Sequence, residues 1–383
     1  MRFSFATAGR ILFGAGTFAE AGEAVPRLGR RALLVTGRHP ERAAALTRQL
    51  EARGIAWQAF TVSGEPEVEQ VVQGGALARE ARCELVIGFG GGSALDAAKA
   101  IAALATNTEP VETYLEVIGA GRPLSQPPLP TIAIPTTSGT GSEVTRNAVL
   151  KSLAPRVKVS LRSPDMLPDL AIVDPELTLS LPPAVTAATG CDALTQLLEA
   201  FVSAKANPLT DGLCREGLGR AAKALPQVVT RGDDLAARID MALASLFSGM
   251  ALANAGLGAV HGIAGPLGGM IGAPHGALCA RLLPFVVEAN LAALVRRKAR
   301  DDTVARYTEA ARMMVSSRAT TVELVAWLHD LVARLEIPGL SAWGLTRAEL
   351  PDLVTKAKAA SSMKGNPVQL SDGELADILN RAL

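Results

Sequence analysis

At 383 residues the chain is longer than a single hydrophobic core usually serves, so two domains are expected. A hydrophobic share of 49% with 20% charged residues excludes a disordered chain, and 38 Lys and Arg against 37 Asp and Glu exclude the basic field that would attract nucleic acid or an anionic membrane. Cys83, Cys191, Cys214 and Cys279 show no CxxC spacing, so neither a zinc ribbon nor a disulfide framework is indicated. The N-terminus MRFSFATAGRILFG lacks an apolar signal core, and a reducing cytoplasm is the expected compartment.

In chain order, RILFGAG reads as a strand and turn in which Gly14 and Gly16 can take positive φ. RALLVTG at 31–37 is a continuous apolar strand of the kind buried on both faces of a parallel sheet. A helix from about Pro40 to Arg53, a strand at Trp57–Val62 and a helix over about Glu67–Arg82 follow. CELVIGFGGGS at 83–93 is a buried strand ending in glycines, and Ser93 with Asp96 forms an S-x-x-D helix start. TIAIPTT at 131–137 is another apolar strand. Strands alternating with helices imply an α/β doubly wound parallel sheet. From about Leu181 only helical patterns remain, which places an α/β domain at 1–180 and an all-helical domain at 181–383. Late helix starts are marked by the pairs Thr346/Glu349 and Ser371/Glu374.

Gly90, Gly91, Gly92 and Ser93 follow a strand and open a helix, where backbone N–H groups and the helix dipole can hold a diphosphate. The spacing is GGGS-x-x-D-x-x-K rather than the usual G-x-G-x-x-G, and a merely tight turn is the competing reading. PTTSGTGSEVT at 135–145 is a second such turn after a buried strand, and the two together point to a nucleotide site. Where an NAD ribose usually meets an acid, this chain reads VTGRHPER, with Gly37, Arg38 and Arg42. That pattern fits a site where NADP is tolerated or preferred, or equally a plain turn with surface arginines. His39 in this turn and His329 in a late helix are expected at the surface.

Residues 241–280 contain no Asp, Glu, Lys or Arg, yet carry His261 and His275. Gly, Pro, Asn and His interrupt every run that could reach the ~20 apolar residues of a membrane span, so a protein core is expected. Imidazoles there are hydrogen-bonded core groups or metal ligands. Asp192 and Gln196, four apart, share one helix face.

GGGSALDAAKAIA, PTTSGTGSEVT, AIVDPELTLSLPP, TAATGCDALT, HGIAGPLGGMIGAPHG and LLPFVVEAN resemble, in order, the successive landmarks of the iron-containing (group III) alcohol dehydrogenases. The resemblance implies a dinucleotide domain, a helical domain, a metal and substrate cleft between them, and a homodimer or higher homo-oligomer. By position it implies metal ligands at Asp192, His261 and His275 and a diphosphate turn at Gly91, Gly92, Ser93 and Asp96. Nucleotide contacts are implied at Thr136, Thr137, Thr145, Lys158 and Leu177, with Lys158 also counted in the catalytic set. Gly37 stands at the ribose position, and Arg38 beside it is taken as a cofactor contact.

Two positions depart from the pattern: Gln196 and Gly265 stand where the family has histidines. An amide oxygen is a weaker donor than imidazole for late divalent metals, so Gln196 is open to weak ligation, ligation through water, or none. Gly265 leaves space where a second imidazole would sit. The expected function is hydride transfer between NAD or NADP and a small alcohol, aldehyde or ketone, assisted by Fe²⁺ or Zn²⁺. The alternatives are a nucleotide-binding homologue with lost or metal-independent catalysis, and a dehydroquinate synthase-like lyase. The lyase would want basic residues near the histidines for a phosphorylated substrate.

Overall fold

The computed structural model describes residues 2–153, 157–298 and 301–383. The chain divides into two compact units. One comprises Thr7–Thr137 and Gly141–Leu179; the other comprises 2–6, Ser138–Thr140 and Ser180–Leu383.

The first unit is built on β1 (Arg10–Phe13), β2 (Arg31–Thr36), β3 (Ala56–Thr61), β4 (Leu85–Gly90), β5 (Thr131–Pro135) and β8 (Leu170–Val173), in the order β1-β8-β5-β4-β2-β3. All the pairings are parallel. The continuous apolar runs are explained by burial on both faces. Leu33, Val35 and Val86 enter one core, while Ala32, Leu34, Leu85 and Ile87 enter the other. Each of the Leu, Val and Ile side chains contributes about 1.5–3 kcal/mol of burial energy. The connections carry α1 (Ala21–Ala24), α2 (Ala44–Ala52), α3 (Val68–Glu80) and α4 (Gly92–Thr106). The strand order reverses between β2 and β4, which creates a crevice at the carboxyl ends of those strands.

Three features depart from the sequence expectation. A hairpin of β6 (Asn147–Ser152) and β7 (Val157–Arg162), and the strand β8, lie where no strand was expected. The N-cap of α4 is Gly91, with no side-chain cap, so Ser93 and Asp96 do not form its start. His39 is exposed as expected, but His329 is only partly so, its ring edge-on to Phe285 at 5.0 Å.

The second unit is helical: α5 (Pro183–Val202), α6 (Pro208–Thr230), α7 (Leu235–Ala255), α8 (Ala259–Ile271), α9 (His275–Arg296), α10 (Asp301–Met314), α11 (Thr321–Arg334), α12 (Leu350–Ala359) and α13 (Asp372–Ala382). The uncharged stretch 241–280 becomes most of α7, all of α8 and the first six residues of α9. Its glycine breaks are helix ends, with Gly256 at φ 67° and Gly272 at φ 68°. Helices α7 and α9 are long and apolar enough to cross a membrane, but over half of each apolar stretch is buried inside the protein. Both capping boxes expected late in the chain are present, at Thr346/Glu349 and Ser371/Glu374.

Candidate metal centre and nucleotide turns

In the α/β unit three turns meet at the ends of β2, β4 and β5. Gly90 has φ +155°, and a Cβ there would lie 2.8 Å from Ala94 and 3.4 Å from the Gly37 nitrogen, so glycine is required. The Thr136 N–H donates to the Gly90 carbonyl at 2.8 Å, and a Cβ on Gly91 would come within 3.3 Å of Thr137. Gly37, Gly91, Gly92, Ser93, Thr136 and Thr137 are thereby gathered around the N-terminus of a 15-residue helix. Backbone N–H groups at such a place suit a phosphate.

Behind them Lys99 is buried on α4. Its Nζ donates to the Ser142 carbonyl at 3.0 Å and to Thr145 Oγ1 at 2.9 Å, and it pairs with Asp96 at 3.1 Å. Asp96 also accepts from Ser142 Oγ and from the Val149 N–H. Asp96 and Lys99, three apart on one helix face, thus anchor the segment 142–149 to α4 and fix Thr145. Burial lowers the Lys99 pKa against the opposing charges of Asp96 and Glu143. Burial likewise pushes Glu143 up to about 7, against a backbone hydrogen bond and Lys99. The Leu177 carbonyl accepts from Arg42 at 2.8 Å, tying the turn after β2 to residues 175–178. Arg38 is exposed, and Lys158 on β7 is ion-paired with Glu65.

The helical unit assembles the second site. Helix α8 starts at Gly258, which has no side chain to cap it; Glu199 and Asn366 reach in instead. Glu199 Oε1 accepts the Val260 N–H at 2.6 Å and Asn366 Oδ1 accepts the Ala259 N–H at 3.0 Å. A Cβ on Gly258 would stand 2.8–2.9 Å from those two oxygens. A carboxylate at a helix N-terminus is favoured by the orphan N–H groups and the dipole. The same carboxylate orients His261, third residue of α8, whose Nδ1 lies 2.7 Å from Glu199 Oε2. A carboxylate can only accept, so Nδ1 carries the proton and Nε2 faces the other way.

There Nε2 of His261 meets Asp192 Oδ1 at 3.2 Å and Cys279 Sγ at 3.7 Å. His275 Nε2 lies 3.8 Å from the same Asp192 oxygen and 3.6 Å from the same sulfur. One ligand atom from each of Asp192, His261, His275 and Cys279 falls within 4.8 Å of all the others. His275 and Cys279 are i and i+4 on α9 and so share a face. They come close to Asp192 because α9 approaches α5 at Gly276, where a Cβ would sit 2.0 Å from the Ala188 carbonyl oxygen.

The electrostatics suit a cation. Burial would raise the Asp192 pKa, but His275 and His261 outweigh it and hold the carboxyl below its usual range. Burial would lower the His261 pKa, but Cys279, Asp192 and Glu199 outweigh it and raise it well above the ordinary value. Burial pushes the Cys279 thiol up to about 12, with His261 opposing. One carboxylate, two imidazoles and a thiol converging in a buried place are a donor set for a divalent ion.

Asp192, His261 and His275 are therefore brought together. Gln196 is one turn along α5 from Asp192; its Oε1 accepts from Ser248 Oγ at 2.8 Å and its Nε2 donates to the Thr140 carbonyl at 3.4 Å. A Cβ at Gly265 would meet open space. The sequence reading missed Glu199 and Cys279. Their spacing carried a signal: Glu199 is seven residues after Asp192 and Cys279 four after His275, each on its partner's helix face.

Comparison with known proteins covers both halves of the chain. Residues 8–175 match the family described as iron-containing alcohol dehydrogenase, and residues 186–383 match its C-terminal counterpart. The chain is 38% identical over 340 residues to long-chain-alcohol dehydrogenase 1 of Geobacillus thermodenitrificans, covering 88% of this chain and 85% of that protein. It is 36% identical over 362 residues to 4-hydroxybutyrate dehydrogenase of Cupriavidus necator, covering 92% of each. A solved 1,3-propanediol oxidoreductase superposes with a TM-score of 0.92 at 33% identity over the full length of both chains. With residues 8–175 and 186–383 matching the two family models and a relative 38% identical over 340 residues, this chain belongs to the iron-containing alcohol dehydrogenase family.

Proposed function

We propose that the chain interconverts a small to moderately apolar alcohol and its aldehyde or ketone, using NAD or NADP and a divalent ion held by Asp192, His261 and His275. The observation that carries this reading is the convergence of Asp192 Oδ1 with the Nε2 atoms of both histidines, with Glu199 behind His261. When bound, the ion supplies Lewis acidity toward the substrate oxygen, and the nicotinamide exchanges the hydride. Glu199 holds a proton on His261 Nδ1, so the proton that the ring gives up when an ion binds is the one on Nε2, whose lone pair then faces the cluster. Asp192 supplies the negative charge, and its burial keeps water from screening it.

On the cofactor side, the α4 N-terminus at Gly91, Gly92 and Ser93 is the proposed diphosphate seat. Thr136, Thr137, Thr145, Asp96, Lys158 and Leu177 are the proposed further contacts or supports. Gly37 and Arg38 are proposed at the ribose, where the missing acid leaves room for a 2′-phosphate. The uncharged stretch 241–280 disfavours a multiply anionic substrate. Gln196, the fourth ligand position implied by the family pattern, is proposed as a neighbour of the ion, its amide being bonded to Ser248 and the Thr140 carbonyl. A reducing cytoplasm and a homodimer complete the proposal, and light scattering measures the latter.

The test is oxidation of NADH and NADPH with a graded series of aldehydes, run anaerobically with Zn²⁺ or Fe²⁺, for the wild type and Asp192→Asn. Turnover that Asp192→Asn abolishes while cofactor still binds supports the reading. Turnover unchanged in Asp192→Asn overturns the metal's part in it, and cofactor binding without turnover on any aldehyde overturns the activity.

A further inference from the structure

Resting on the metal-assisted reading above, we propose that Cys279 is a ligand of the ion, its thiolate serving where the family pattern has a histidine at position 196, and that the site consequently takes Zn²⁺ in preference to Fe²⁺. The bland alternative is a core cysteine packed as a small hydrophobe, which is how most buried free cysteines behave. The geometry argues against it. Tetrahedral zinc with bonds of about 2.0–2.1 Å to nitrogen or oxygen and about 2.3 Å to sulfur sets ligand pairs about 3.6 Å apart for N···S and about 3.4 Å for N···O. The sulfur lies 3.7 Å and 3.6 Å from the two Nε2 atoms, and the Asp192 oxygen lies 3.2 Å and 3.8 Å from them. A single such contact would suit an S–H···N hydrogen bond; what marks a ligand is that the sulfur, both Nε2 atoms and the Asp192 oxygen all lie within 4.8 Å of one another.

The position of Gln196 makes the complementary point. Its amide bridges Ser248 on α7 and the Thr140 carbonyl, so both polar ends are engaged away from the cluster. The chain has thus lost one neutral donor from α5 and placed a sulfur on α9, one turn beyond His275. A thiolate is softer than an amide oxygen or an imidazole, and it favours zinc over the harder ferrous ion. On binding, the thiol proton leaves to solvent as the metal–sulfur bond forms; the ion stays divalent, and neither oxidant nor reductant is involved.

The experiment is anaerobic titration of the full-length protein with Co²⁺, read by absorbance, because a thiolate ligand gives a sulfur-to-cobalt charge-transfer band in the near ultraviolet and N/O ligands do not. The band is expected in the wild type, in Cys191→Ser and in Gln196→Ala, and is expected to be lost in Cys279→Ser. Circular dichroism checks that Cys279→Ser is folded, and the wild-type spectrum stands without any variant. Cobalt retained by the wild type without the band overturns the cysteine ligand while leaving the metal-assisted reading intact. A band that survives in Cys279→Ser, or is lost in Gln196→Ala alone, does the same. No cobalt retained by the wild type overturns both. Competition between Zn²⁺ and Fe²⁺ for the same protein tests the preference; equal or reversed occupancy contradicts it.

Discussion

Glu199→Gln is nearly isosteric and separates the two tasks that this carboxylate performs. Oε1 accepts the Val260 N–H at 2.6 Å, and Oε2 faces His261 Nδ1 at 2.7 Å. An amide has one accepting oxygen. If that oxygen stays on Val260, the NH₂ faces a protonated Nδ1, and the imidazole must move its proton to Nε2. The proton then points at Asp192 and Cys279, where the ion would sit. If the amide turns round, the NH₂ faces the Val260 N–H, and the first turn of α8 loses an acceptor in a place that Glu199 buries. A buried donor left unsatisfied costs about 1–3 kcal/mol, which is the expected loss of stability. Disturbing the group that holds a ligating histidine typically weakens metal binding by about 10–100-fold. The assay is competition for Zn²⁺ against a chromophoric chelator, alongside denaturant unfolding of the metal-free protein. A variant that binds Zn²⁺ within about twofold of wild type would refute the claim that Glu199 sets the His261 tautomer.

Gly276→Ala should be severe, because its Cβ would meet the Ala188 carbonyl oxygen at 2.0 Å; a stability loss above about 3 kcal/mol and loss of Zn²⁺ binding are expected by unfolding and metal analysis. Gly91→Ala only crowds Thr137, at 3.3 Å, so it should cost about 1 kcal/mol of stability but raise the cofactor Kd about tenfold or more in fluorescence titration. Gly37→Asp has open space for its Cβ and should move preference toward NAD over NADP by at least about tenfold in kcat/KM, through repulsion of the 2′-phosphate. Burial pushes the Glu143 pKa from 4.5 to about 7, so its contribution to stability is full below about pH 4.5 and is lost as pH rises to about 7. Glu143→Gln should therefore gain on the wild type by up to about 3 kcal/mol between pH 5 and 8, measured by denaturant unfolding across that range.

The strands β2, β4 and β5 were legible because burial on both faces writes itself as an unbroken apolar run. The change to an all-helical unit after residue 180 was legible for the complementary reason, since only 3.6-residue periodicity remains there. β8 was not legible: four residues, LAIV, between Pro168 and Asp174 are too short to separate from a buried turn. The β6–β7 hairpin escaped because its pairing partner, not its own composition, makes it a strand. Ser93 and Asp96 looked like a helix start, yet Asp96 bonds Ser142 and Val149 from another segment, and tertiary contact decided its role. Asp192, His261 and His275 were found through the family's landmarks. Glu199 and Cys279 lay beside those landmarks at helix-face spacing from Asp192 and His275, but that spacing gains its meaning only from the approach of α5, α8 and α9.

The most direct measurement of the central claim is metal content by elemental analysis of protein purified anaerobically, with aldehyde-dependent NAD(P)H oxidation assayed on the same sample before and after chelation. About one divalent ion per chain, activity lost with the ion and restored by adding it back, and neither retained in His261→Ala, is the result this account predicts. Full turnover by protein stripped of metal, or by His261→Ala, would contradict it.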